Sequence, residues 1–97
     1  MAAQKKNSAA TLERRTVVHR ILRDRGDAAV VTGIGNASHD VASAGDDDRN
    51  MYLFGIMGGA AMVAFGIALA QPKRRVVVIT GDGEVLAGIG SLATIGV

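Results

Sequence analysis

The chain has 97 residues, a formal net charge of +2, 48% hydrophobic and 3% aromatic residues, and no cysteine. This length allows at most one small domain, and the lack of cysteine excludes disulfides and thiolate metal sites and fits a reducing, cytoplasmic location. Much of the positive charge lies within the first 25 residues without interleaved aromatic residues, so nucleic-acid binding is not expected.

The first part of the chain is predicted to be a short disordered tip followed by a helix. Residues 1–8 are polar and charged, whereas residues 9–26 carry apolar residues at helical spacing with arginines on the opposite face. Gly26 suits the end of this amphipathic helix. The rest of the fold is expected within residues 27–97.

Three short apolar runs in the remaining sequence are predicted to be strands. They are continuous rather than alternating, which is typical of parallel strands that are covered on both faces. An apolar helix ending at Pro72 is predicted between the second and third strands, and the opening of another buried helix after the third. The sequence thus predicts an α/β fold with a partial three-layer, Rossmann-like parallel sheet. Its strands would lie at residues 28–32, 52–54 and 76–80, with a polar loop at residues 33–50.

Residues 51–70 allow one alternative, a membrane span. This stretch contains twenty residues without a charge and is followed by a basic flank after Pro72. Four glycines lower its hydropathy, however, and a span would leave the apolar segment after residue 75 without a partner. A buried helix of small residues explains the same sequence, so a small single-span membrane protein is the less favoured interpretation.

Glycine-rich loops follow all three predicted strands, with the sequences GIGNAS, GIMGG and GDGE. Ligands of open parallel sheets bind at the carboxyl ends of the strands, where glycine lets backbone N–H groups approach an anion. The pattern therefore predicts a phosphorylated ligand. The first loop could also be a dinucleotide fingerprint, but no helical pattern begins at its second glycine, so a turn of small residues is favoured.

Asp82 is the residue that packing explains least, because it lies between Gly81 and Gly83 directly after a buried strand. Aspartate in such a position can cap the following helix. It can equally hold a hard divalent cation, because Mg²⁺ takes oxygen ligands and often joins a carboxylate to a diphosphate. The spacing alone leaves both roles open.

The segment VVVITGDGE resembles the first half of the thiamine diphosphate binding motif, which opens with GDG and closes with a pair of asparagines. Residues 28–97 are similar to the cofactor-diphosphate domain of thiamine diphosphate-dependent 2-oxoacid decarboxylases, in the branch of phosphonopyruvate decarboxylase and the sulfopyruvate decarboxylase β subunit. A glycine loop, a G-x-M-G turn, an apolar helix ending in ALAQP, a strand and GDG carry the resemblance in that order. It implies that residues 27–97 are a partial thiamine diphosphate-binding domain, incomplete at its C-terminus.

The resemblance also implies roles for individual positions. Asp82 would be a ligand of the Mg²⁺ that grips the diphosphate, and Gly55 would offer its carbonyl to the aminopyrimidine. Met57 would be the hydrophobic wedge that bends the cofactor, with ordinary core packing as the alternative for this residue. No catalytic residue is assigned in this chain, and the implied cofactor-binding set is Gly35, Ser38, Gly55, Met57, Gly58, Gly81, Gly83 and Glu84.

The sequence departs from the pattern of this branch in several places. Ile56 replaces the usual serine, Glu84 occupies a place often held by a small residue, and SHD replaces a serine followed by a basic residue and glutamate. Only 14 residues follow Gly83 (97 − 83). The pair of asparagines that closes the motif is expected farther from GDG than this, so it would lie beyond Val97.

The activity implied by the resemblance is decarboxylation of a 2-oxoacid, or carboligation, by an oligomer. A pyrimidine-binding domain or an α subunit of the same enzyme would supply the glutamate that activates the cofactor, so the isolated chain is expected to be inactive. The alternative is a non-catalytic interaction fragment of the same fold that binds no cofactor.

Overall fold

The computed structural model describes residues 12–97, so the tip predicted at residues 1–8 and the predicted start of the first helix lie outside the described residues. The predicted α/β class is confirmed. The elements, in chain order, are α1 (Arg14–Arg23), β1 (Ala29–Thr32), α2 (Asn36–Ser43), β2 (Asn50–Tyr52), α3 (Ala60–Ala70), β3 (Val76–Ile79), α4 (Asp82–Ala87) and α5 (Gly90–Ile95).

The predicted parallel sheet is confirmed, with β1 at its centre and the strand order β2-β1-β3. Val31 of β1 pairs with Met51 on one side and with Val78 on the other, and both pairings are parallel. All four residues of β1 are buried. Its continuous β-branched run fits this central position, because both faces of the strand are covered.

The sheet lies between two layers of helices. Val30 points to the face that is covered by α1 and α2, where it packs in a cluster with Val18, Leu22 and Val41. Val31 points to the opposite face, where it packs against Ala60 and Ala64 of α3. Successive strand residues face opposite sides, so one Val-Val pair reaches both cores. The small side chains of α3 allow that helix to lie close to the sheet.

A buried carboxylate ties α1 to α2. Asp40 on α2 lies 3.0 Å from Nε of Arg15 and 2.5 Å from Nε of Arg14. Burial opposes ionisation of Asp40, but the hydrogen bonds and charges of the two arginines outweigh it and hold the pKa of this carboxyl below its usual range. The two arginines therefore do more than form the solvated helix face that the sequence predicts.

The prediction of a loop throughout residues 33–50 is wrong, because residues 36–43 form α2. This helix begins directly after the second glycine of GIGNAS, where no helical pattern is visible in the sequence. Val41 is its only buried apolar residue, and its other buried side chains are the polar Ser38 and Asp40. A helix held by polar contacts rather than by an apolar stripe gives no periodic signal.

Further boundaries differ from the prediction. The first helix was expected to end at residue 26 but ends at Arg23, and the described residues 12 and 13 lie before its start. The second strand was expected at residues 52–54 but lies at Asn50–Tyr52, because pairing with β1 sets its register. The last helix is divided into α4 and α5 by a turn at Gly88 and Ile89. Gly88 packs directly on Gly58, where a Cβ on Gly88 would overlap the Gly58 carbonyl. The prediction that this helix is buried is wrong, because α4 buries only Glu84 and α5 buries no residue within the described part of the chain.

Residues 51–70 do not form one helix, so the single-span alternative is wrong as stated. They comprise the end of β2, a loop and α3, whose 11 residues give a length of roughly 16 Å. Within residues 12–97, no helix has both the length and the apolar character that crossing a membrane requires.

Candidate functional site at the carboxyl edge of the sheet

The loops that follow the three strands leave the sheet at the same edge, because all three strands are parallel. Each of the first two loops begins with a hydrogen bond to a neighbouring strand. The N–H of Gly33 donates to the carbonyl of Ile79 at 3.3 Å, and the N–H of Leu53 donates to that of Thr32 at 3.1 Å. Ligands of open parallel sheets bind at this edge. It is therefore the candidate site.

The first loop needs glycine at Gly35, whose φ of 91° and ψ of −147° place it in a region that other residues rarely adopt. Gly35 is the N-cap residue of α2. Ser38, in the first turn of that helix, is buried, and its hydroxyl lies 2.5 Å from Oγ1 of Thr32 and donates to the carbonyl of Gly33 at 2.9 Å. The Ser38 side chain thus holds the loop from inside, and its contact with a cofactor stays a prediction.

The second loop carries the G-I-M-G turn and exposes several apolar side chains. Met57 is 63% exposed and Ile56 is 49% exposed. Core packing, the alternative role for Met57, is therefore not observed, and the wedge role stays a prediction. Gly55 has open space beside its α-carbon, whereas Gly58 has a φ of 89° and an added Cβ would lie 2.9 Å from the backbone N of Gly88. The turn therefore packs against the end of α4.

The third loop is the G-D-G segment. Gly81, Asp82 and Gly83 are all exposed, and both glycines have open space beside their α-carbons. Gly81 is the N-cap residue of α4, and Asp82 is the first residue of this helix. One carboxylate oxygen of Asp82 accepts a hydrogen bond of 2.8 Å from the N–H of Gly83. This bond is local, so the carboxylate remains directed to the surface at the candidate site.

Asp82 fits Mg²⁺ only together with oxygens from elsewhere. Within the part of the chain that the structure describes, no three His, Cys, Asp or Glu side chains lie close enough to form a metal site. Mg²⁺ does not need such a cluster, because it is commonly bound through one or two carboxylates, phosphate oxygens and water. A single exposed carboxylate at this edge is compatible with a cation that a diphosphate also holds.

A groove of about 620 Å³ lies beside the G-D-G loop. Its volume is within the usual range of small-molecule sites, about 300–1,000 Å³. Gly81 and Asp82 line it together with residues of α1, α2 and β3, among them Arg14 and Asn36, and none of the residues that line it belongs to the second loop. Arg14 and Asn36 were not predicted from the sequence as site residues. Arg14 reaches this edge through its contact with Asp40, which only the packing of α1 on α2 brings about.

Glu84 is placed differently from the neighbouring Asp82. Its side chain is turned into the protein and is 4% exposed, and its carboxylate accepts hydrogen bonds from the N–H groups of Gly58 and Ala60 and from the hydroxyl of Thr80. The contact with a cofactor predicted for Glu84 stays a prediction. The role of Thr80 was missed, because the sequence shows it only as the last residue of a predicted strand.

Residues 33–96 of the chain match the family described as thiamine pyrophosphate enzyme, C-terminal TPP binding domain. This range begins at the first of the three loops and includes the other two.

The relatives of this chain include the following three decarboxylase chains. Phosphonopyruvate decarboxylase of Streptomyces viridochromogenes is 50% identical over 70 residues, which are 72% of this chain and 17% of that protein. The protein of the same name from Streptomyces hygroscopicus is 47% identical over 68 residues, again 17% of its length. Sulfopyruvate decarboxylase subunit beta of Methanothermobacter thermautotrophicus is 40% identical over 83 residues, which are 86% of this chain and 44% of that protein. The chain thus spans less than half the length of each of these relatives.

Proposed function

The chain belongs to the family of thiamine pyrophosphate enzymes, within their C-terminal TPP binding domain, and from this premise we propose that it holds the diphosphate and Mg²⁺ of thiamine diphosphate in a 2-oxoacid decarboxylase or carboligase. One observation carries the proposal beyond family membership. Three glycine-bearing loops converge on one edge of a parallel sheet, and the exposed carboxylate of Asp82 lies there beside a groove of about 620 Å³.

The residues of this chain bind and orient the cofactor. Asp82 provides the carboxylate that holds the cation, and Gly81 and Gly83 leave room for the diphosphate to approach the backbone. Gly55 would offer its carbonyl to the aminopyrimidine, and the exposed side chain of Met57 would contact the bound cofactor. When bound, thiamine diphosphate supplies the electron sink for decarboxylation.

A partner supplies the pyrimidine-binding domain. Two features support this part of the proposal. One relative is named as a β subunit, which implies a further subunit in that enzyme. The surface around the second loop and the last helices is also strongly apolar, as expected for a surface that a protein partner covers. Its exposed large side chains are Phe54, Ile56, Met57, Leu86, Ile89 and Leu92.

The substrate class is a 2-oxoacid with a second acidic group. The relatives are named for phosphonopyruvate and sulfopyruvate, which both combine a 2-oxoacid with a further anionic group.

The alternative proposal, a non-catalytic interaction fragment, predicts no cofactor binding at all. The lack of cysteine in the chain suits work in the reducing cytoplasm.

Titration of the chain, purified with its partner subunit, with thiamine diphosphate tests the proposal. We expect saturable binding that requires Mg²⁺ and is lost when EDTA removes the cation. Thiamine without phosphate is the matched control ligand, and it should bind far more weakly because it lacks the group that the cation holds. Equal binding with and without Mg²⁺, or no binding of thiamine diphosphate, would contradict the proposed function and favour the interaction fragment.

A further inference from the structure

We propose that Glu84 is a positioning residue that fixes the three loops of the candidate site relative to one another, an inference whose functional meaning rests on the proposed function. The resemblance implies contact with the cofactor for this position, whereas a positioning role is inferred here from the direction of its side chain. The neighbouring Asp82 is exposed at the surface of the site, whereas Glu84 is 4% exposed and points in the opposite direction, into the protein.

The carboxylate of Glu84 joins the third loop to the second. Oε1 accepts hydrogen bonds of 3.2 Å from the N–H of Gly58 and of 3.2 Å from the N–H of Ala60. Oε2 accepts a hydrogen bond from the hydroxyl of Thr80, at the end of β3. A single side chain therefore contacts the backbone before α3 and the residue that follows β3.

α3 needs this acceptor because its own N-cap residue is Gly59, which has no side chain to offer. The first N–H groups of a helix have no partner within the helix, and a nearby negative charge is favourable there. The carboxylate of Glu84 thus caps α3 from a different helix. The ion pairs of residues 12–97 involve other carboxylates, so the helix end and the hydroxyl, rather than Lys or Arg, stabilise this buried charge.

The same carboxylate also closes the first loop against the others. A Cβ on Gly33 would overlap Oε2 of Glu84 and would lie 2.9 Å from Oγ1 of Thr80. Only glycine leaves room for the carboxylate at this position, since larger residues would displace it. Glu84 therefore meets all three loops, and the position of the G-I-M-G turn relative to Asp82 depends on it.

Amide hydrogen exchange of the full chain tests the geometry without any cofactor. In Glu84→Ala the N–H groups of Gly58 and Ala60 should exchange about tenfold faster or more, because each loses its acceptor. Glu84→Gln keeps a side-chain oxygen that can accept from both N–H groups. In this variant both N–H groups should exchange less than about threefold faster than in the wild type. Asp82→Ala is the matched control on the same helix and should leave both rates unchanged.

Two results of this experiment would overturn the proposal. One is unchanged exchange of Gly58 and Ala60 in Glu84→Ala. The other is equal acceleration in Glu84→Gln and Glu84→Ala, because the conservative variant keeps the shape and the acceptor that a positioning role requires. A thermal unfolding scan of each variant establishes that the exchange is measured on folded protein.

A double-mutant cycle tests the link to the first loop. Gly33→Ala should also accelerate exchange at Gly58, because it displaces the carboxylate of Glu84. Adding Gly33→Ala to Glu84→Ala should have little further effect on that rate, since the displaced group is already gone. Independent, additive effects would contradict the shared contact and overturn the claim that Glu84 holds the first loop.

The consequence for the site is measured by binding of thiamine diphosphate with Mg²⁺ to the chain purified with its partner subunit. We expect Glu84→Ala to weaken binding about tenfold and Glu84→Gln to weaken it less than about threefold. If the wild type binds thiamine diphosphate and Glu84→Ala binds it equally well, the positioning role is overturned and the proposed function is not affected. Absence of binding in the wild type would overturn the proposed function, while the exchange experiment would still decide the geometry.

Discussion

Oε1 of Glu84 lies 3.2 Å from the backbone N of Gly58, a residue that precedes it by 26 positions in the chain. The contact joins a short helix to a turn whose own residues offer no side-chain acceptor. It also distinguishes, by the direction of their side chains, the two acidic residues on either side of Gly83. Asp82 faces the groove, and Glu84 holds the turn from inside.

Replacing Asp82 by asparagine should weaken Mg²⁺-dependent retention of thiamine diphosphate by at least about tenfold, because the amide removes the negative charge that a hard cation prefers. Retention after gel filtration at several Mg²⁺ concentrations measures the effect on the chain with its partner subunit. Asp48→Asn is the control, since Asp48 lies before β2, away from the carboxyl edge of the sheet. Equal retention in Asp82→Asn and wild type would refute the metal role.

Replacing Met57 by alanine should separate stability from cofactor binding. Met57 is 63% exposed, so the free energy of unfolding should change by less than about 0.5 kcal/mol. If the side chain supports the bound cofactor, decarboxylation by the assembled enzyme should fall about tenfold, and Met57→Leu should restore most of it. Met51→Ala, at a 45% exposed position on β2, is the control. A large loss of stability with unchanged activity would favour core packing instead.

Replacing Gly58 by alanine should destabilise the fold by roughly 1–3 kcal/mol, because Gly58 has a positive φ and lies against the backbone of Gly88. Gly66→Ala is the matched control within α3. It has open space beside its α-carbon and lies inside a helix, so it should stabilise the protein by roughly 0.5–1 kcal/mol. Urea unfolding curves measure both changes. The same sign for both substitutions would contradict the close contact between the two glycines.

Acid should weaken the attachment of α1 to α2. The pKa of Asp40 is lowered in the folded state, since the two arginine partners outweigh the effect of burial. Its contribution to stability is therefore fully present above the unfolded value of about 3.9 and is lost as pH falls through the lower folded value. Asp40→Asn should lower the melting temperature at pH 7 by roughly 5 °C or more. It should also make the decrease of the melting temperature below pH 4 smaller than in the wild type.

Thermal unfolding of Asp40→Asn between pH 7 and pH 3 measures that effect. Asp47 provides a second acid-sensitive group, because its hydrogen bond with Arg49 also lowers its pKa. The melting temperature of the double variant Asp40→Asn/Asp47→Asn should therefore depend on pH still less than that of Asp40→Asn. If the melting temperature of Asp40→Asn decreases below pH 4 as steeply as that of the wild type, the ion-pair assignment is contradicted.

The sequence predicted the features that depend on local composition. The continuous apolar runs at β1 and β3 indicated buried parallel strands, and glycine marked the loops that follow them. The helix α2 could not be predicted in this way, because Val41 is its only buried apolar residue and Asp40 holds it through arginines on α1. Its stability comes from residues that are distant in the chain.

The same reason explains what was missed at the candidate site. The resemblance implied a metal-binding role for Asp82 and a cofactor contact for Glu84, and nothing in the local sequence indicates that the Glu84 side chain turns inward. That direction is set by the unpartnered N–H groups at the start of α3 and by the space that Gly33 leaves. Likewise, the break between α4 and α5 follows from the contact of Gly88 with Gly58 rather than from helix propensity.

The strand order β2-β1-β3 has a consequence for handling the protein. Within residues 12–97 both outer strands pair on one side only, so each presents a row of N–H and C=O groups to whatever lies beside it. On β3 this row is combined with three consecutive valines, a sequence that favours strand addition. Among these residues the open side of β3 is therefore the place where a further strand could extend the sheet, and a charged residue introduced there should disfavour such pairing.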